Sequence, residues 1–95
     1  MIEISLQEAK KLVSLWSKGT FPTTAQSIKY HFAVHGKGVS AANYWQYLRK
    51  AGKFSENLRG TRKSILEAGY IRYMKNGYYI IKNKEGKILS FGIER

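Results

Sequence analysis

The dipeptide Asn76-Gly77 stands between two segments, Tyr70–Lys75 and Tyr78–Lys82, that are rich in tyrosine and isoleucine. A two-residue hairpin turn needs positive φ at both central positions, and Asn followed by Gly adopts this with the least strain. The spacing predicts a β-hairpin with Tyr73 opposite Ile80 and Arg72 opposite Ile81. Asn83-Lys84-Glu85-Gly86 then reads as a type I turn with glycine in the left-handed position. It leads into a third strand over 87–93, so the C-terminal third is expected to be a three-stranded antiparallel meander. The register of that last strand stays open. A three-residue loop sets Ser90 beside Ile80, on the Tyr73 face; a four-residue loop sets it beside Tyr79, on the Arg72 face. A slip of one residue exchanges the faces.

Ahead of the hairpin the period is helical. Ser5-Leu6-Gln7-Glu8 fits a capping box, and Leu6, Ala9, Leu12, Val13 and Trp16 follow on one face, predicting a helix over about 6–17 with Gly19 as its stop. Thr23 and its neighbours offer a second cap after Pro22, and a helix over about 24–35 stops at Gly36. A third is expected over about 41–51, capped by Ser40 and ended by Gly52, with Ala42, Trp45, Leu48 and Ala51 inward. Residues 53–69 follow neither period; Ile65-Leu66 suits the start of a short helix or of a strand. Helices first and sheet last define an α+β plan, with about three N-terminal helices packed on a C-terminal antiparallel meander. At 95 residues, the chain suits one domain spanning 1–95.

Composition removes several kinds of chemistry. The chain has no cysteine, which excludes disulfides and thiolate metal sites. It also has no Asp: all six carboxylates are Glu, so no Asp can orient a histidine in a Ser-His-Asp triad. No phosphate-binding glycine loop occurs, and no apolar run reaches the ~20 residues of a membrane span. The balance of 17 Lys+Arg against 6 Asp+Glu, formally +11, favours a polyanionic partner. Tyrosines interleaved with lysines and arginines tilt that preference toward nucleic acid, whose bases stack on aromatic faces.

Both histidines, His31 and His35, lie four residues apart in the second predicted helix, on one face with Ser27. Ile28 and Phe32 would run beside them as the buried stripe. The pair lacks the intervening Glu of a zinc-protease helix, and no Asp or Cys completes a ligand set, so no metal or other cofactor is expected. RNA cleavage needs neither, because RNA supplies its own nucleophile, the 2′-hydroxyl. The enzyme has only to move protons and stabilise the phosphorane. His31 and His35 are the candidate acid and base. Lys29, Arg59, Arg62, Lys63 and Arg72 are the candidate phosphate ligands, and Ser90 or a tyrosine is a hydrogen-bond donor. The competing structural role for the histidines is that one caps its helix and the other is merely exposed.

The run Ser27-Ile-Lys-Tyr-His-Phe-Ala-Val-His-Gly-Lys-Gly-Val39, followed by Tyr44-Trp-Gln-Tyr-Leu-Arg-Lys-Ala51, resembles the C-terminal toxin modules of bacterial polymorphic and contact-dependent growth inhibition systems. The ending Tyr70–Gly92, with its Asn-Gly and Glu-Gly turns and Ser90-Phe91-Gly92, is similar to theirs. The likeness covers roughly residues 20–93. It implies the barnase–EndoU–colicin–RelE-like superfamily: a metal-independent endoribonuclease, directed at tRNA, leaving a 2′,3′-cyclic phosphate and a 5′-hydroxyl. On this resemblance His31 and His35 come first and Ser90 second as catalytic residues, followed by Arg72 with Arg59 and Arg62; the residues themselves add Lys29, Lys63 and Tyr79 to the expected RNA-binding set. It also implies a bacterial toxin exported within a larger effector and acting in the target-cell cytoplasm. Such a toxin is monomeric when free and neutralised by an acidic cognate immunity protein. The chain starts at Met1 without the usual delivery region, which would make it an excised module or a free-standing relative.

The alternative expectation is a non-enzymatic, winged-helix-like nucleic-acid-binding module. There Tyr44, Gln46, Tyr47, Arg49 and Lys50 of the third helix would read the groove and Lys75-Asn76-Gly77 would form the wing tip.

Overall fold

The computed structural model describes residues 4–94. Helices α1 (Leu6–Ser14), α2 (Thr24–His35) and α3 (Tyr44–Glu56) precede strands β1 (Arg62–Ile65), β2 (Ile71–Lys75), β3 (Tyr78–Lys82) and β4 (Ile88–Ile93). The strands form one antiparallel sheet in the order β1-β2-β3-β4. This is the expected α+β plan, with helices first and a meander last. The meander has four strands where the sequence suggested three.

Each helix starts where a side-chain oxygen satisfies an orphan amide. Ser5 accepts from the Glu8 N–H at 3.0 Å, and Thr23 accepts from that of Gln26 at 3.2 Å. For α3 the cap is Asn43, not Ser40: Asn43 accepts from the Gln46 N–H at 3.0 Å, and Gln46 Oε1 accepts from the Ala42 N–H at 2.7 Å. Ser40 sits at φ 60 in the preceding turn.

Gly52 does not end α3. A Cβ there would lie 3.2 Å from Leu12 Cδ2, so the glycine lets Leu12 of α1 pack directly on α3. The helix runs on to Glu56, and carbonyls at its end and just beyond it find donors on the sheet. Lys82 Nζ donates to the Ser55 carbonyl at 3.5 Å, and Lys75 Nζ donates to those of Asn57 and Arg59 at 2.8 and 3.0 Å. Helix α1, conversely, ends three residues early. Leu15–Ser17 leave it to pair with the outer edge of β4: Ile88 N–H donates to Leu15 O and Ser17 N–H to Ile88 O, both at 2.8 Å. That contact buries Trp16 and blunts a sheet edge.

The hairpin forms as the Asn-Gly spacing requires, with φ 55 at Asn76 and 83 at Gly77. Tyr73 pairs with Ile80 and Arg72 with Ile81. Neither expected register of β4 occurs. Ser90 pairs with Ile81 and Ile88 with Lys82, so Leu89 is an extra residue bulged from β4. Directly paired residues share a sheet face, which puts Arg72, Ile81 and Ser90 on one face, with Tyr79 and Gly92 beside them.

The opposite face carries Ile80 and Phe91 into the core, where Tyr47, Leu48 and Ala51 of α3, Ile28 of α2 and Ile88 join them. Full burial of Ile28, Leu48, Ile80 and Ile88 contributes roughly 1.5–3 kcal/mol each. Tyr47 is also fully buried, and its hydroxyl donates to the Phe91 carbonyl at 2.5 Å, locking α3 to β4.

Candidate functional site

Helix α2 packs against β4 and carries His35, in its last turn, over the sheet face that holds Arg72, Tyr79 and Ser90. Gly92 makes the approach possible, since a Cβ at that position would lie 2.9 Å from His35 Nδ1. The imidazole therefore rests on bare backbone.

From there a short polar chain runs across the strands. Tyr79 Oη lies 3.4 Å from His35 Nε2 and 2.9 Å from Ser90 Oγ. The Arg72 guanidinium carbon sits 4.6 Å from the centre of the Tyr79 ring, a cation–π contact. Arg72 Nε is buried without a hydrogen-bond partner. Among the described residues Arg72 makes no ion pair, the bridges being Arg49–Glu8 and Arg62–Glu94. Arg72 is only partly buried and lines the groove beside His35, so its guanidinium can meet an anion there. His35, Arg72 and Tyr79 line one groove of about 810 Å³, with Lys37 and Val34 also lining it. Among the described residues, no three His, Cys, Asp or Glu side chains cluster as metal ligands.

The two histidines have different surroundings. Their rings stack at 5.9 Å and within 9° of parallel. His31, one turn back from His35, is wedged against Trp16, Phe21 and Tyr30 at centroid distances of 6.0, 6.3 and 5.2 Å. Its Nδ1 is buried without a partner. Burial, with a smaller push from neighbouring His35, lowers the His31 imidazole from its ordinary 6.5 to about 4. At neutral pH it is an uncharged platform under His35.

The sequence-level candidates thus separate. His35, Arg72, Tyr79 and Ser90 come together, and His31 supports them from behind. Lys29 is exposed on α2. Arg62 shares the Tyr79 face through its pairing with Met74, but is held by Glu94 at 2.8 Å. Lys63 is paired with Tyr73 on the opposite face and lies 5.8 Å from the centre of that ring. Arg59 is exposed in the loop after α3, its carbonyl held by Lys75. None of these four lines the His35 groove. Lys37 does, and sequence reasoning passed over it. Its signal was a cation between two glycines, directly after the His35 turn.

Several residues offered for a recognition helix are consumed by the fold. Tyr47 is buried, Gln46 caps α3, and Arg49 binds Glu8 through two nitrogens, each at 2.9 Å. No described helix is long and apolar enough to cross a membrane. Compared with models of known protein families and with curated proteins, the sequence gives no match.

Proposed function

We propose that this chain is a metal-independent endoribonuclease toxin that cuts RNA by transesterification. The observation that carries the proposal is the His35–Tyr79–Ser90 chain beside Arg72, in a groove with no carboxylate in its lining. In this reading His35 takes the proton of the 2′-hydroxyl as its oxygen bonds to phosphorus. Arg72 binds the non-bridging oxygens and offsets the charge that grows on the phosphorane. The bond from phosphorus to the 5′-oxygen breaks, and that oxygen leaves with the Tyr79 hydroxyl proton. The His35 imidazolium then returns its proton to the Tyr79 oxygen. The products are a 2′,3′-cyclic phosphate and a 5′-hydroxyl, and protons balance without a co-reactant. Ser90 is a positioning residue, aiming the Tyr79 hydroxyl, and Lys37 draws a flanking phosphate.

The resemblance of residues 20–93 to bacterial toxin modules supports tRNA as the substrate, delivery within a larger effector and action in the cytoplasm of a target cell. The formal charge of +11 supports an acidic immunity protein as the inhibitor. The structural duties of Tyr47, Gln46 and Arg49 weigh against a non-enzymatic winged-helix-like nucleic-acid-binding module.

The test is incubation with total bacterial RNA in EDTA, resolved on a denaturing gel, for wild type, His35→Ala, Arg72→Lys and His31→Phe. Wild type and His31→Phe should give the same discrete fragments, ending in cyclic phosphate. His35→Ala should give none, and Arg72→Lys should lose at least about a hundredfold. Intact RNA with wild type, or undiminished cutting by His35→Ala, would overturn the proposal.

A further inference from the structure

A second concavity lies on the other side of the sheet. Successive residues of a strand face opposite ways, so Tyr79 serves the His35 groove while Tyr78 turns toward α3. There Tyr78 and Phe54 wall a pocket of about 320 Å³, floored by Phe91. Tyr78 and Phe91 lie within 15° of parallel at a centroid distance of 6.3 Å; Phe91 is buried, so Tyr78 and Phe54 supply the pocket's accessible aromatic surface. Asn57, at the end of α3, and Asn76, in the hairpin turn, bring two carboxamides to its lining, and Lys50 and Lys53 bring two ammonium groups. Lys75, which also lines the pocket, is spent on the Asn57 and Arg59 carbonyls and braces the wall. Among the described residues Lys50 and Lys53 form no ion pair. No carboxylate lines the pocket, although Lys50 and Lys53 also border the groove between α1 and α3, which Glu8 and Glu56 line.

Flat aromatic walls take a base by stacking, carboxamides offer a donor and an acceptor to its edge, and ammonium groups take the phosphate. We infer that this pocket binds one unpaired nucleotide of an RNA strand, as an exosite separate from the His35 groove. The site sits by the Asn76-Gly77 turn, so a strand leaving the groove around that turn meets it. A base must be unpaired to enter, which confines productive substrates to those with a loop or free end near the cut. The inference rests on the RNA reading above for the nature of the ligand, but not on cleavage.

The probe is a short, fluorescently labelled single-stranded RNA, methylated at every 2′-oxygen so that it cannot be cut, with binding followed by anisotropy over a range of salt. Tyr78→Leu should weaken binding about tenfold without altering the salt slope. Lys50→Gln with Lys53→Gln should lower the slope of log K against log salt by about 1.4, whereas Lys10→Gln with Lys11→Gln, on the exposed side of α1, should not. Tyr78 packs on Phe91, so Asn76→Gly provides a variant that spares the fold, since glycine accepts the positive φ of that position. It should weaken binding severalfold at unchanged thermal stability. Binding by the Tyr78 and Asn76 variants equal to wild type would overturn the exosite even if wild type cleaves RNA. Tyr78-dependent binding by a protein that cleaves nothing would overturn the nuclease and leave the exosite standing.

Discussion

The aromatic nest around His31 gives this domain a component of pH-dependent stability whose direction and range are set by that one residue. The folded state holds His31 neutral, with its imidazole lowered from 6.5 to about 4, while the unfolded chain protonates it near 6.5. Between those values unfolding takes up a proton, so stability is fully present above about pH 6.5 and drains away as pH falls toward 4. At about 1.4 kcal/mol per pH unit the interval amounts to roughly 3 kcal/mol, and solvent screening of a half-buried ring reduces this to about 2 kcal/mol. That is a large share of the ~5–15 kcal/mol that holds a small domain together. His31→Phe keeps an aromatic ring among Trp16, Phe21 and Tyr30 and removes the titration. Urea unfolding followed by tryptophan fluorescence, at intervals from pH 7.5 to pH 4, should show wild type losing about 2 kcal/mol more than His31→Phe. The glutamates titrate in both proteins and cancel. Parallel curves, or an NMR midpoint for His31 near its ordinary value, would refute the claim that packing holds this ring neutral.

Two further changes separate the site from the scaffold. Gly92→Ala places a methyl 2.9 Å from His35 Nδ1 and 3.1 Å from Tyr79 Cε2, so both rings must move; RNA cleavage per folded molecule should fall by about a hundredfold, with a destabilisation of about 1–3 kcal/mol from the overpacked methyl. Tyr47→Phe removes the hydroxyl that donates to the buried Phe91 carbonyl; denaturant unfolding should show a loss of about 1–3 kcal/mol, with cleavage per folded molecule preserved.

What could be read from the sequence was what local chemistry decides. The Asn76-Gly77 turn specifies its own φ values and therefore the register of β2 on β3, and Ser5 and Thr23 cap their helices wherever the chain later packs. Strand β1 could not be read, because all four of its side chains are exposed and no apolar alternation marks it. It exists because β2 offers it an edge. Gly52 misled for a related reason. Glycine signals both the end of a helix and a close approach within one, and only the position of Leu12, forty residues away in sequence, decides between them. The same holds for the histidines: spacing put them on one face, but Trp16 and Phe21 make His31 a support and leave His35 at the groove.

The site depends most on a feature with no sequence signature, the bulge at Leu89. Pairing continued from Lys82 and Ile88 without it would set Leu89 opposite Ile81 and Ser90 opposite Ile80. Ser90 would then point toward α3, on the core side, and Tyr79 would lose the 2.9 Å contact that fixes its hydroxyl. One inserted residue rotates Ser90 onto the Arg72 face while leaving Phe91 opposite Ile80, where the core requires it. The bulge thus lets one strand serve two faces that a regular ladder would set in conflict, the core through Phe91 and the groove through Ser90 and Gly92. Local propensity is indifferent to such a residue. Only the joint demand of core and site makes Leu89 the one left out of the ladder.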